Sequence, residues 1–198
     1  MQQNHFINHQ YFIMKIVNKF LLIVSVLLAL ACNNDDYAAD SPADKQIQLV
    51  VNARGTVLGQ SKTITQPESG EILEPVCFLM ELVDPDTGKV IGTLEDCVVS
   101  SETPSDGTIT SRVITSINID GRGTIQSENL VLQTIQPPVE EFNFKTSFTP
   151  TEDNVIHTTF EFEGMKGTVS LDGEVNLRHL EEGIATFDCY FTIDLISF

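Results

Sequence analysis

The sequence predicts an all-β protein that folds as a single antiparallel β-barrel of eight or nine strands. Apolar and polar residues alternate with a period of two along most of the chain after residue 46, which is typical of strands with one buried face. Short turns rich in Gly, Pro and Asp separate these segments. The only helical signal, at residues 178–182, covers at most one turn and ends at Gly183. A sandwich is the alternative, but long consecutive strands favour a barrel because closure removes exposed edges.

The strands are predicted in chain order from their composition and from the turns between them. The sequences DPDTG at 84–88 and DGRG at 120–123 are turns, since Pro presets φ and Gly accepts a positive φ. Each turn joins two apolar or alternating segments into a hairpin. The predicted strands are 47–52, 74–83, 89–99, 107–119, 124–134, 142–148, 155–163, 167–177 and 184–198.

The composition excludes several classes of function. The chain has 28 Asp and Glu against 11 Lys and Arg, a formal net charge of −17. Nucleic-acid binding and attachment through a polybasic patch both need clustered Lys and Arg, so both are disfavoured. A hydrophobic content of 41% with twelve Phe is too high for a disordered acidic tail.

Residues 14–32 resemble the signal peptide of a bacterial lipoprotein, and Met14 is the expected start. Two lysines precede an apolar run of twelve residues, which is shorter than the ~20 that a membrane-spanning helix needs. The run ends in LALAC, similar to a lipobox whose leucine lies one place early. The resemblance implies cleavage between Ala31 and Cys32 and diacylglycerol on the Cys32 sulfur, whereas ordinary secretion with cleavage near Ala31 is the alternative.

The predicted organisation is an N-terminal extension with signal peptide at 1–31, a lipidated tether at 32–46 and a barrel at 47–198. The tether begins with the acidic residues 33–36 (NNDD), which resemble the signal that directs some lipoproteins to the outer face of the outer membrane. We therefore expect a lipid-anchored, surface-exposed outer-membrane protein. The alternative is that the four residues only form part of a solvated linker.

The barrel segment resembles a known family. Residues 82–93 (LVDPDTGKVIGT), with Cys97 after them, are similar to the first hairpin of allene-oxide-cyclase-like and dirigent-like barrels, and 121–126 (GRGTIQ) to a later strand. Residues 164–169 resemble the next turn in degenerate form, while the family's TGGTG loop is absent. The resemblance spans 74–198 and implies an eight-stranded calycin-like barrel, with isomerase or cyclase activity as one possible function. No motif aligns with the family's catalytic residues, and the absence of Trp excludes the Gly-x-Trp signature of lipocalins.

Three cysteines remain after Cys32. Cys77 and Cys97 flank the 84–88 turn at seven and nine residues, which places them opposite or diagonal in a hairpin. A disulfide between them is the favoured pairing, because an envelope location permits it and a directly opposed pair satisfies its geometry. Cys189 lies among alternating Phe and Ile residues and is predicted to be a buried thiol.

No metal, cofactor or catalytic residue is predicted. Asp84 and Asp86 begin an EF-hand-like pattern with Glu95 at the twelfth position, but Lys89 occupies the place of the required Gly, so a solvated turn is favoured. His157 and the only other histidine after Cys32 have no ligand or dyad spacing. Paired acids lie in loops, where solvated charge is expected.

Three functional expectations follow, and the oligomeric state stays open. The favoured one is a non-enzymatic barrel that binds a small apolar ligand or offers its surface to a partner; the alternatives are a cyclase-type enzyme and a purely structural module. On the last strand, Asp188, Tyr190, Thr192 and Asp194 share one face. We expect this face to meet water and the opposite, Phe-rich face to meet the interior, although in a ligand-binding barrel the polar set could line the cavity.

Overall fold

The computed structural model describes residues 45–66, 70–103 and 107–197. Twelve strands occur in these ranges. They are β1 (Gln46–Leu58), β2 (Gln60–Ser61), β3 (Ile64–Thr65), β4 (Ile72–Leu73), β5 (Val76–Val83), β6 (Val90–Glu102), β7 (Thr108–Ile119), β8 (Gly123–Ile135), β9 (Asn143–Phe148), β10 (Val155–Thr158), β11 (Lys166–Asn176) and β12 (Ile184–Ile196). Short 3-10 helices cover Val139–Glu141, Phe160–Phe162 and Leu180–Glu182.

Eight of these strands close into an antiparallel barrel, which confirms the predicted fold class. The order around the barrel is β1, β12, β11, β9, β8, β7, β6, β5 and back to β1. β1 pairs with β12 along its whole length, from Gln46 opposite Ile196 to Leu58 opposite Ile184. A shorter pairing of β1 with β5, around Ala53 opposite Leu82, completes the circle.

The two ends of the barrel differ, and we name them by the first strand. The closed end is where β1 begins and β12 ends, and the open end is where β1 ends and β12 begins. Near the closed end the side chains of Ile47, Ile119, Ile125, Phe162 and Leu195 are buried. These side chains fill the closed end of the barrel interior.

The predicted strand at 155–163 is wrong in its second half. β10 ends at Thr158, and the chain then turns through the 3-10 helix Phe160–Phe162. Phe160 has φ +53° and is 83% exposed, while Phe162 is fully buried. Alternating Phe residues suggested a strand, but here the chain leaves the sheet and only one of the two rings reaches the interior.

Asn154, which directly precedes β10, links β8 to β11 at a point where neither β9 nor β10 pairs with β11. β9 pairs with β11 only from Asp172 to Asn176. The first part of β11, nearer the closed end, therefore has no ladder partner on the side opposite β12. The Asn154 amide fills this place: its Oδ1 accepts from the Val169 N–H (2.7 Å) and its Nδ2 donates to the Val169 carbonyl (2.7 Å). Nδ2 also lies 2.5 Å from Oδ1 of Asn129 on β8. One buried side chain therefore substitutes for a strand residue.

The segment between β1 and β5 crosses the outside of the barrel. β2 pairs with β5, and β3 and β4 form a small hairpin. Lys62 forms an ion pair with Glu95, and Gln66 donates to Glu128, both on the outer face. This segment explains why outward-facing residues of β5–β7 are buried, namely Cys77, Cys97 and Ile114.

Some sequence predictions concern residues outside the described ranges. These are the signal peptide, the cleavage between Ala31 and Cys32, lipidation of Cys32, and the tether as far as residue 44. Within the described ranges, no helix has the length and apolar character that a membrane-spanning segment requires.

Candidate functional site

A cavity of about 410 Å³ occupies the open end of the barrel. Its rim includes Val76 and Leu180, which are 42% and 46% exposed, so the cavity communicates with solvent. Ligand-binding cavities of proteins commonly measure ~300–1,000 Å³. The space therefore suffices for a small organic molecule.

The walls of the cavity are mainly apolar, and they come from several strands. Alternation along each strand turns every second residue inward, so strands from opposite sides of the barrel face each other across the space. The apolar wall includes Phe78, Val98, Val113, Val175, Ala185 and Phe187. The rings of Phe78 and Phe187 lie 5.5 Å apart between centroids and form an aromatic side of the wall.

Asp96 is the one charged residue among the described residues that line this cavity. It lies on the inner face of β6, where the alternation also turns Leu94 inward. The hydroxyl of Thr115 on β7 donates to Asp96 Oδ1 at 2.6 Å. The register pairs these two residues directly across the β6–β7 ladder.

Asp96 marks the inner limit of the cavity. It also lines a second space of about 20 Å³, deeper in the barrel and bounded by Met80 and Cys189, which is enough for roughly one water molecule. Asp96 therefore borders both spaces. Burial raises the pKa of Asp96 to about 6, against the opposing effect of the Thr115 hydrogen bond.

The raised pKa gives a test of the position of Asp96. A pKa of about 6 in the folded state lies above the ordinary Asp pKa of about 3.9, so ionisation of Asp96 destabilises the fold, and the cost grows between these two pH values. Asp96→Asn should therefore raise the free energy of unfolding by about 1–3 kcal/mol at neutral pH. Below pH ~4, where both states bind the proton, the gain should vanish.

Urea denaturation at both pH values measures this gain. Glu174→Gln removes an exposed acid beside the lining residue Val175. It serves as the control, with an expected change within ~0.5 kcal/mol at either pH. A loss of stability in Asp96→Asn at neutral pH would contradict the position assigned to this carboxylate.

The structure places the disulfide cysteines away from the cavity. Cys77 and Cys97 face each other across β5 and β6 and form a disulfide, with Sγ atoms 2.10 Å apart. Both lie on the outer side of the barrel, beneath the segment that precedes β5. Cys189 is a buried free thiol, as predicted, and burial raises its pKa to about 12. A thiol in this state is not a nucleophile.

The DPDTG turn lies at the closed end, far from the cavity. The Asp84 carboxylate accepts the N–H groups of Asp86 (2.9 Å) and Thr87 (2.8 Å), and the bond from Thr87 lowers the pKa of Asp84. Glu95, the twelfth residue of the EF-hand-like pattern, instead forms the ion pair with Lys62. These contacts agree with the predicted turn.

The last strand is oriented as predicted. Cys189, Phe191 and Leu195 are buried inside the barrel, whereas Tyr190 is 49% exposed on the outside. Asp188 accepts a hydrogen bond from Asn52 Nδ2 at 2.8 Å on this outer face. The polar set of this strand therefore does not line the cavity.

Asp96 and Gln133, two polar residues of the cavity wall, were not predicted as site residues from the sequence. A signal for Asp96 was present, because the strand LEDCVV places an acid at an inward position between Leu94 and Val98. Gln133 follows Val131 on the inner face of β8 in the same way. An isolated polar residue on an otherwise apolar strand face is a useful indicator of a cavity.

The fold and the site define a closed antiparallel barrel with a ligand-sized cavity at one end. No protein-family model matches the chain. The curated proteins likewise include no significant match.

Proposed function

We propose that this protein binds a small, mostly apolar ligand in the open end of its barrel. The observation that carries the proposal is the cavity of about 410 Å³, which is lined largely by aliphatic and aromatic side chains and has Asp96 at its inner limit. Burial of an apolar ligand surface against such walls gives about 25 cal/mol per Å². A few polar groups then fix the orientation of the ligand.

The proposed location is the outer face of a bacterial outer membrane, with the protein anchored through acyl chains on Cys32. This proposal is supported by the lipobox-like sequence that ends at Cys32 and by the acidic residues 33–36. Cys32→Ser should move the protein from the membrane fraction to the soluble fraction. Retention of the Cys32→Ser protein on the membrane would contradict the anchoring.

Ligand binding is tested with a neutral fluorescent probe, 1-N-phenylnaphthylamine. The purified protein carries Cys32→Ser, so that no acyl chain or detergent competes for the probe. We expect saturable binding with an increase in fluorescence, because the probe leaves water for an apolar wall.

Two neighbouring residues of β8 provide matched variants. Gln133 lines the cavity, whereas Leu132 is 41% exposed on the outer face. Gln133→Phe should fill part of the cavity and weaken probe binding at least tenfold, while Leu132→Phe should leave binding within twofold of the parent. Absence of saturable binding, or equal binding by the two variants, would overturn the proposed function.

A further inference from the structure

The cavity wall carries negative charge and no positive charge among its described residues. Asp96 is the only ionisable side chain in the part of the lining that the structure describes, and the remaining polar residues there are neutral: Ser101, Thr103, Ser111 and Gln133. A ligand carboxylate or phosphate would enter a low-dielectric space next to a like charge, without a cation to compensate it. Anionic amphiphiles therefore fit this cavity poorly.

The Asp96 carboxylate also has unused hydrogen-bonding capacity. Thr115 donates to Oδ1, and no other described residue donates to either oxygen. An ionised carboxylate can accept about four hydrogen bonds, and burying it with a single donor is costly. Asp96 lines the cavity, so a ligand bound there lies beside this carboxylate.

From these two observations we propose that the ligand is an organic cation: an amine with an apolar body, whose ammonium group binds Asp96. The proposal rests on the proposed function, because it names the class of ligand for the same cavity. An ammonium group would supply both the missing donors and the missing charge, and hydrogen bonds between charged partners are about twice as strong as neutral ones. The formal net charge of −17 would add attraction during the approach of a cation.

The experiment compares three compounds with the same apolar chain: decylamine, decanol and decanoic acid. Each displaces 1-N-phenylnaphthylamine from the purified Cys32→Ser protein at pH ~8, where Asp96 is ionised and the amine is protonated. We expect decylamine to bind at least tenfold more tightly than decanol, and decanoic acid to bind more weakly than either.

Two variants separate the role of Asp96 from that of the overall charge. Asp96→Asn should reduce the ratio of decylamine to decanol affinity from at least tenfold to about twofold or less. Glu174→Gln removes the same charge from the outer surface and should leave this ratio unchanged. Equal loss of the ratio in both variants would show a general charge effect and overturn the assignment to Asp96.

The preference for the amine should also depend on pH. Among the described residues that line the two spaces, Cys189 is the only titratable group besides Asp96, and burial raises its pKa to about 12. The neighbouring strands contribute uncharged side chains, namely Met80, Thr115, Gln133, Thr146 and Val175. The ratio of decylamine to decanol affinity should therefore fall several-fold from pH ~8 to pH ~5, as Asp96 takes up a proton.

The outcomes distinguish the two proposals. If the neutral probe binds but decylamine shows no advantage over decanol, the cation proposal fails while ligand binding stands. If decanoic acid binds most tightly, the cation proposal likewise fails. If the probe itself does not bind, both proposals fail together.

Discussion

Asn154→Ala is expected to lower the free energy of unfolding by about 3–5 kcal/mol, since each buried polar group left without a partner costs ~1–3 kcal/mol. The substitution would leave the N–H and carbonyl of Val169 without partners, together with Oδ1 of Asn129. Val169 is 1% exposed, so water would have to enter the barrel wall to replace these bonds. Urea denaturation measures the loss.

The neighbouring Glu152 supplies the control for this experiment, because it is exposed in the same loop. Glu152→Ala should change the free energy of unfolding by no more than ~0.5 kcal/mol. Hydrogen exchange gives a second readout: the Val169 amide should lose protection in Asn154→Ala before the amides of β7 do. If Asn154→Ala and Glu152→Ala were equally stable, Asn154 would not hold β8 and β11 together.

Removal of the disulfide is expected to have the next largest effect. Cys77 and Cys97 are separated by 20 residues, and closing a loop of this length restricts the unfolded chain by about 3 kcal/mol. The double variant Cys77→Ala with Cys97→Ala should therefore unfold at a lower urea concentration than the parent. Its fold should persist, because the paired cysteines lie outside the main core of the barrel.

Reduction provides the matched comparison. Dithiothreitol should destabilise the parent protein by about the same amount as the double substitution, and it should leave the double variant unchanged. Cys189 is present in both proteins, so it cannot cause a difference between them. If dithiothreitol had no effect on the parent, the disulfide would contribute nothing to stability.

Most of the barrel could be predicted because its strands have one face on the core and one outside. For residues 107–119 and 124–134, the observed strands Thr108–Ile119 and Gly123–Ile135 differ by one residue at the most. The segment between β1 and β5 gave no such signal, because its short strands lie on the outside of the barrel. At residues 160–162 the alternation predicted a strand, but the chain forms a 3-10 helix there. Only the ring of Phe162 is buried, whereas Phe160 is exposed.

The candidate site could be predicted less well than the fold. That Asp96 points inward follows from strand alternation, but its contact with Thr115 depends on the register between β6 and β7. The size of the cavity depends on how far side chains from opposite walls reach across the barrel. Neither the Asp96–Thr115 contact nor the size of the cavity is encoded in a local sequence pattern, because both depend on residues that are far apart in the chain.

The closure of the barrel through β1 and β12 has a consequence for how the chain folds. Gln46 pairs with Ile196, about 150 residues later, and until that pairing forms, β1 has only its three-residue ladder with β5. Non-local pairings of this kind slow folding, because the entropy of a long loop is lost before the contacts compensate for it. The hairpins from β5 to β8 are local and can form early. The long pairing of β1 with β12 can form only after β12 has been synthesised. Formation of the ligand cavity is therefore a late event in the folding of the chain.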